Sequence, residues 1–263
     1  MSVETTHTTT AATSGVPELP DILRLLAELY PNNPVLHQLY KWENLVYSLF
    51  IISILLIITF FATRKMTLVP HNSQNAVEAI VEGIDNFICG IMGPQGRKYT
   101  PFIGTLFLYI LMMNLSGLIP FLKSSTTSWS TTLALALIVF VCVQYTAIKQ
   151  HGFFGYMYHL AGSPKGAMAW SIIFPIFMFG LHLLAELIRP LSLSLRLRSV
   201  MSGDETLLAV MAGFGSKGTV ALIGGFFLLF LNMAMAVLTA VIQALVFSLL
   251  TTIYFVLALE HDE

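Results

Sequence analysis

Between His182 and Arg198 the chain sets three arginines, a glutamate and a histidine into a stretch that is otherwise almost wholly apolar. An ionisable side chain at membrane depth costs roughly 2.5–3.5 kcal/mol on insertion scales, so one kept there marks an ion or proton path by default. Arginine says most, because its guanidinium keeps its proton at any working pH. His182, Glu186, Arg189, Leu193 and Arg196 step by four, three, four and three residues, which puts them on one helical face with Ser192 beside it. Arg198 comes two residues after Arg196 and projects about 200° from it. Ser202, Asp204 and Glu205 follow. Arg189 and Arg198 can snorkel to headgroups or pair with Glu186 and Glu205. Arg196 has leucines at 193, 195 and 197 and no carboxylate three or four residues away, so local pairing does not explain it.

A second polar stripe lies nearer the end of the chain. Asn232, Thr239 and Gln243 are seven and four residues apart, one face over three turns. Gln243 donates and accepts hydrogen bonds without bearing charge, which suits a neighbour of an arginine at low dielectric. A bond between helices, worth about 1 kcal/mol, is the plainer role for it. Asn114, in an earlier apolar segment, can join either stripe.

Other chemistries find no footing. The chain has no GxxxxGK[ST], HExxH or GxSxG pattern. Paired haem ligands would need two deep histidines, and His182 alone has apolar surroundings; His151 and His159 fall in a loop. Cys89 and Cys142 stand apart, without metal-ligand spacing, and read as small apolar residues. No metal or cofactor is expected. A fixed cation, amides, carboxylates and hydroxyls move protons and break no bonds, so no active site of its own is expected either.

The elements that position these residues are membrane helices. Of 263 residues, 56% are hydrophobic and only 10% charged, and mean hydropathy is +0.78, whereas soluble domains carry about 25% charged residues. The expected fold is all-α and integral to the membrane. A net charge of −1 gives nucleic acid no purchase. Residues 1–43 differ: a Thr- and Ser-rich tip, expected to be disordered, then a short amphipathic pattern over 17–40 that suits a surface helix. The tip lacks the patterns of a signal peptide and of an Arg-rich transit segment, so neither is expected there. The membrane domain is expected to run over 44–263, with ordinary spans over 44–63, 99–122 and 131–148. Residues 75–90 alternate Val77, Ile80, Val81, Ile84, Phe87 and Ile88 with Glu78, Glu82 and Asp85, an amphipathic helix at the interface or packed on the bundle. Arg64, Lys65, Arg97 and Lys98 crowd one loop, against Lys123 alone in the next; the positive-inside rule then puts the N-terminus outside and the C-terminus inside.

What remains is too long for ordinary spans. Residues 168–210 and 219–259 are apolar blocks of about forty residues each, or about 60 Å as straight helices, twice the hydrocarbon thickness. They are divided by a Gly-rich turn over 213–218. Pro175, Pro190 and the Gly224–Gly225 pair would kink helices more readily than end them. A long tilted two-helix hairpin is therefore expected.

These residues are familiar as a set. ArgProLeuSerLeuSerLeuArgLeu over 189–197, followed by Gly203, Asp204 and Glu205, resembles subunit a of the F-type ATP synthase membrane sector. So does IleGlnAlaLeuValPhe over 242–247, leading into Thr251, Thr252, Ile253 and Tyr254. Val69-Pro70 with Gln74, Asn75 and Glu78, and Met113-Asn114-Leu115 with Gly117 to Pro120, are similar in support. The resemblance implies that Arg196 is the arginine facing the carboxylate of a rotating c-ring, with Gln243 beside it. It makes Glu205 and Asn114 members of a half-channel, and gives Glu186 or His182, one turn apart, the place of a further acid. The hairpin would pack against c-ring proteolipid subunits. Peripheral-stalk b subunits and membrane lipids are the other implied partners, and a bacterial inner membrane the implied setting, ahead of an organelle inner or thylakoid membrane. The departures are Arg198-Ser199-Val200 where the family usually has Phe-Gly-Asn, and Ala236 where some relatives carry histidine. Leu193 and Leu197, flanking Arg196, would be the positions from which to crosslink a ring helix. The competing readings are a secondary transporter whose Arg196 binds an anionic substrate, for which no inverted repeat is seen, and an anchoring subunit of a redox complex, for which the ligands are missing.

Overall fold

The computed structural model describes residues 42–64, 72–119, 124–160, 173–214 and 219–259, with Leu29 and Leu122 besides. The polar tip, most of the surface segment over 17–40, the Gly-rich turn over 215–218 and the last four residues lie outside the described residues. Among the described residues six helices follow one another from residue 43 on: α1 Glu43–Thr63, α2 Asn72–Met92, α3 Thr100–Ser116, α4 Trp129–Leu160, α5 Ile173–Phe214 and α6 Thr219–Leu259. Short 3-10 turns, Gly93–Lys98 and Ser125–Thr127, precede α3 and α4. Among the described residues, four helices are long and apolar enough to cross a membrane, with crossing segments Glu43–Thr63, Trp129–Gln150, Phe177–Met211 and Gly225–Leu259.

Within the described residues each forty-residue block is one continuous helix, 42 residues for α5 and 41 for α6. Pro175 falls in the first turn of α5, where its missing N–H costs nothing, and Pro190 is absorbed inside the helix. α3 is shorter than its apolar run: it ends at Ser116, and the chain turns at Gly117 and Leu118. A Cβ at Gly117 would stand 2.8 Å from that of Ser124, so glycine is what lets the returning chain lie against the helix end. α4 extends past its expected end but breaks at Gly152, whose φ of 72° only glycine adopts without strain.

The core is the meeting of α3, α4, α5 and α6, with Ile103, Ile110, Val139, Leu193, Leu197, Phe247 and Phe255 buried in one cluster. Tyr99 lies tilted over Phe255 at a ring distance of 4.8 Å, and Phe102 meets it edge-on at 6.0 Å. α1 stands at the edge and is apolar all round: Leu49, Phe50, Leu56, Ile57, Phe60 and Phe61 are exposed, as in a helix that meets lipid. On α2, Ile88 is buried while Ile80, Val81 and Phe87 are exposed, so its apolar face is only partly covered by the bundle. Asp85 fastens α2 to the start of α3. It accepts a hydrogen bond from Thr100 Oγ1 (2.7 Å) and pairs with Arg97 (3.3 Å), and those contacts, the Thr100 bond first, hold its carboxyl below the usual range.

Candidate functional site

The three arginines of α5 have three different surroundings. Arg189 lies over the ring of Tyr254 on α6, 5.5 Å from its centroid. Arg198 lies over Trp129, at 5.3 Å, and its Nε donates to the Thr127 carbonyl at 3.2 Å. Their partners are aromatic faces and a backbone carbonyl, where snorkelling to headgroups or pairing with Glu186 and Glu205 was expected. Arg196 is exposed and makes no hydrogen bond or ion pair with a described residue.

Helical phase explains the exposure of Arg196 and corrects one expectation. Leu193 and Leu197 are 2% and 0% exposed, on the side of α5 that faces the core. At 100° per residue Arg196 stands about 60° from Leu193, away from Leu197, which carries it to the margin of the buried face. The stripe from His182 to Arg196 is thus not presented as one surface: Glu186 and Arg189 are half-buried, Leu193 is buried, His182 and Arg196 are exposed. Leu193 and Leu197 cannot serve as outward crosslinking positions. The small residues exposed on the Arg196 side of α5 are Ala185, Ser192, Ser199 and Gly203, alongside the larger Ile188 and Leu207, and a Cβ at Gly203 would meet nothing within 4 Å.

Two clefts lie along α5, one on each side of Arg196. The first, with about 260 Å³ of empty volume, is lined by Asn114, Gly117, Leu118, Ser124, Met201, Asp204, Glu205, Leu208 and Ala236. Asn114 Oδ1 accepts from Thr126 Oγ1 (3.0 Å), Ser124 Oγ donates to the Met113 carbonyl (3.0 Å), and the two hydroxyls meet at 2.6 Å. Glu205 Oε1 accepts from Thr127 Oγ1 at 2.6 Å. Asn114 Nδ2 and Asp204 Oδ2 are buried and have no partner among the described residues; Asn232 Nδ2, one turn from Ala236, is in the same condition. Buried polar atoms of this kind are ordinarily met by a protein partner or by water.

The second cleft, of about 300 Å³, lies between α4, α5 and α6 and is lined mainly by Ala136, Val139, Phe140, Val143, Pro190 and Leu193, with Gln144, Glu186, Arg189 and Tyr254 as its polar members. Gln144 Nε2 donates to Glu186 Oε2. Pro190, lacking an N–H, leaves the Glu186 carbonyl without its helical donor, which adds an acceptor near the same place. His182 turns outward and its Nδ1 bonds the Met178 carbonyl (2.9 Å), so it forms no pair with Glu186. Ser192 is exposed.

On α6 the polar stripe faces inward. Gln243 is 5% exposed, and Asn232 and Thr239 are half-buried. The Arg189–Tyr254 contact and the cleft shared by Asp204 with Ala236 fix the antiparallel register of α5 and α6. In that register Gln243 lies within about one helical turn of the level of Arg196.

The family described as ATP synthase A chain matches residues 45–256. The chain belongs to this family. Its similarity extends to individual subunits a of ATP synthases: it is 36% identical over 249 residues to ATP synthase subunit a of Protochlamydia amoebophila, covering 94% of this chain and 91% of that one. It is 38% identical to ATP synthase subunit a 1 of Pelobacter propionicus, over 83% of this chain and 88% of that one. To the Aliarcobacter butzleri subunit a it is 38% identical, over 85% and 92%. As a member of the subunit a family, with several helices of crossing length, the chain is a multi-pass membrane protein of ATP synthesis and ion transport.

Sequence reasoning missed four residues of these clefts and their surroundings: Gln144, Thr127, Ser124 and Thr126. Gln144 carried a usable signal, an amide within an apolar span. The loop hydroxyls carried none, because Ser and Thr in a connection are ordinary turn residues.

Proposed function

We propose that this chain is the proton-conducting stator subunit of a rotary ATP synthase, with Arg196 as the fixed cation that faces the carboxylates of a moving c-ring. The observation that carries the reading is the place of Arg196: exposed, unpartnered among the described residues, and set between two clefts that each hold a carboxylate. It follows Arg189 by seven residues and precedes Asp204 by eight, about 10–12 Å of helix in either direction. The small exposed residues beside it, Ala185, Ser192, Ser199 and Gly203, suit close approach of another helix backbone.

The chemistry follows from charge at low dielectric. A ring carboxylate crosses lipid only when neutral, since a bare charge there is prohibitive. Opposite Arg196 the guanidinium favours the ionised form and lowers the carboxyl pKa. The released proton leaves by one cleft and the next carboxylate is protonated from the other. Because Arg196 keeps its charge, it repels a proton that would pass straight from cleft to cleft. In the orientation set by the positive-inside rule, Asn114, Asp204, Glu205 and Asn232 belong to the outer path. Glu186, with Gln144 and His182, belongs to the inner one. Gln243 supplies uncharged hydrogen bonding at the level of Arg196, and Ser192 lines the exposed face. A 35-residue crossing segment rises about 52 Å and fits a core of about 30 Å only if tilted roughly 55°, which would lay the hairpin along the flank of a ring. One charge moving through 100 mV supplies about 2.3 kcal/mol, so several protons are needed per ATP, and the ring adds them. The b subunits of a peripheral stalk would hold the chain still, in a bacterial inner membrane.

Replacement of Arg196 tests the reading. Arg196→Ala is expected to abolish ATP synthesis driven by an imposed proton gradient in membrane vesicles, and Arg196→Lys to leave a trace at most. Synthesis by Arg196→Ala at near wild-type rate would refute it.

A further inference from the structure

The turn Ser125–Thr127 lies across α5 and touches it at two points. At one, the Thr127 hydroxyl donates to Glu205 Oε1 (2.6 Å). At the other, Arg198 Nε donates to the Thr127 carbonyl (3.2 Å), with its guanidinium stacked over Trp129. Both contacts converge on one residue, whose side chain holds a carboxylate and whose backbone holds a cation. Arg198 and Glu205 are seven residues apart, two turns on the same side of α5, so a single loop residue reaches both.

We propose that Thr127 is a positioning residue for proton transfer at Glu205, and that Arg198 is the clamp that keeps its hydroxyl in place. The proposal deepens the assignment of Glu205 to the outer proton path and rests on it. Glu205 must take up and release a proton, and a hydroxyl that donates to Oε1 reserves that oxygen as an acceptor and directs the exchanging proton to the other. The donor is preorganised. The same turn is tied to α1, where Ser125 Oγ donates to the Asn44 carbonyl (2.8 Å), and to α3, through the Thr126 bond to Asn114. Losing one hydroxyl therefore leaves the turn in place. Arg198 and Asp204 are the charged neighbours that α5 itself supplies. Among the described residues, the lining from the other elements, which includes Asn114, Ser124 and Ala236, is uncharged.

The test uses the complete synthase in inverted vesicles, with proton-driven ATP synthesis normalised to assembled complex. Thr127→Val keeps shape and removes the hydroxyl; it is expected to slow synthesis about tenfold, while Thr127→Ser stays within about twofold of wild type. Thr127→Val should add nothing in a Glu205→Gln background, and Arg198→Leu should slow synthesis without adding to Thr127→Val. Equal slowing by Thr127→Val and Thr127→Ser would overturn the role of the hydroxyl, and additive slowing by Arg198→Leu would overturn the clamp. A normal Thr127→Val alongside an impaired Glu205→Gln would overturn the proposal and leave the Glu205 assignment standing. A normal Glu205→Gln would overturn that assignment itself.

Discussion

The clefts on the two sides of Arg196 are built from different materials. One is walled by a loop of hydroxyls and by the end of α3, and carries buried Asn114 and Asp204 atoms that lack described partners. The other is walled by aliphatic and aromatic side chains of three long helices, and its charged members already have company, Glu186 with Gln144 and Arg189 with Tyr254. The difference is one of polar supply. Water entering the first cleft finds donors and acceptors close together, whereas in the second the polar groups form a short island on an apolar wall.

The sharpest way to break the contrast is to neutralise one carboxylate on each side. Glu205→Gln is expected to lower proton-driven ATP synthesis by about a hundredfold or more, the scale of a lost general acid or base. The walls of its cleft belong to this chain, and the carboxylate beside it, Asp204, has one oxygen buried without a described partner. Glu186→Gln is expected to cost about tenfold or less, because His182 is exposed one turn away and can carry a proton in its place. Combining Glu186→Gln with His182→Ala should then bring the loss towards that of Glu205→Gln. Equal losses from the two single variants, measured in the same vesicles, would mean that the clefts do not differ in function as they do in composition.

Gln144→Leu asks whether the second cleft depends on its one amide. A hydrogen bond to a charged group is worth about 1.5–3 kcal/mol, but Gln144 acts through Glu186, so its loss is expected to cost no more than that of Glu186, about tenfold at most. Gln243→Leu should do less, about fivefold, the scale of one neutral hydrogen bond of about 1 kcal/mol. Full activity in Gln243→Leu would reduce that residue to packing on the inward face of α6.

The residues that the sequence made legible are those whose presence in lipid needs an explanation. Arg196 could be separated from Arg189 and Arg198 by phase and by the absence of a local carboxylate, and the structure gives partners to the latter two alone. The two long helices were legible too, since no charged loop interrupts either block. What stayed hidden depends on contacts distant in sequence. Thr127 meets Glu205 across 78 positions and Gln144 meets Glu186 across 42, and no local pattern announces either. The stripe rule also failed at its edge. Steps of four and three keep residues within a broad sector, yet 60° within that sector decides between Leu193 in the core and Arg196 outside it.

That 60° is open to a test with little effect on activity. Ser199→Cys changes a small exposed side chain on the Arg196 side of α5, and ATP synthesis is expected to stay near the wild-type rate. Under mild oxidation the new thiol should crosslink to a cysteine placed near the mid-membrane carboxylate of a proteolipid helix, because a disulfide needs Cα atoms about 4.4–6.8 Å apart and small flanking residues permit that approach. Leu193→Cys, six residues earlier and 2% exposed, should not crosslink. The two clefts can be served by one arginine only if the surface passing them is the Ser192–Ser199–Gly203 side of α5. Crosslinking from Leu193→Cys in place of Ser199→Cys would turn the helix by more than a quarter revolution, carry Arg196 out of line with the ring, and leave the contrast between the clefts without the residue that gives it meaning.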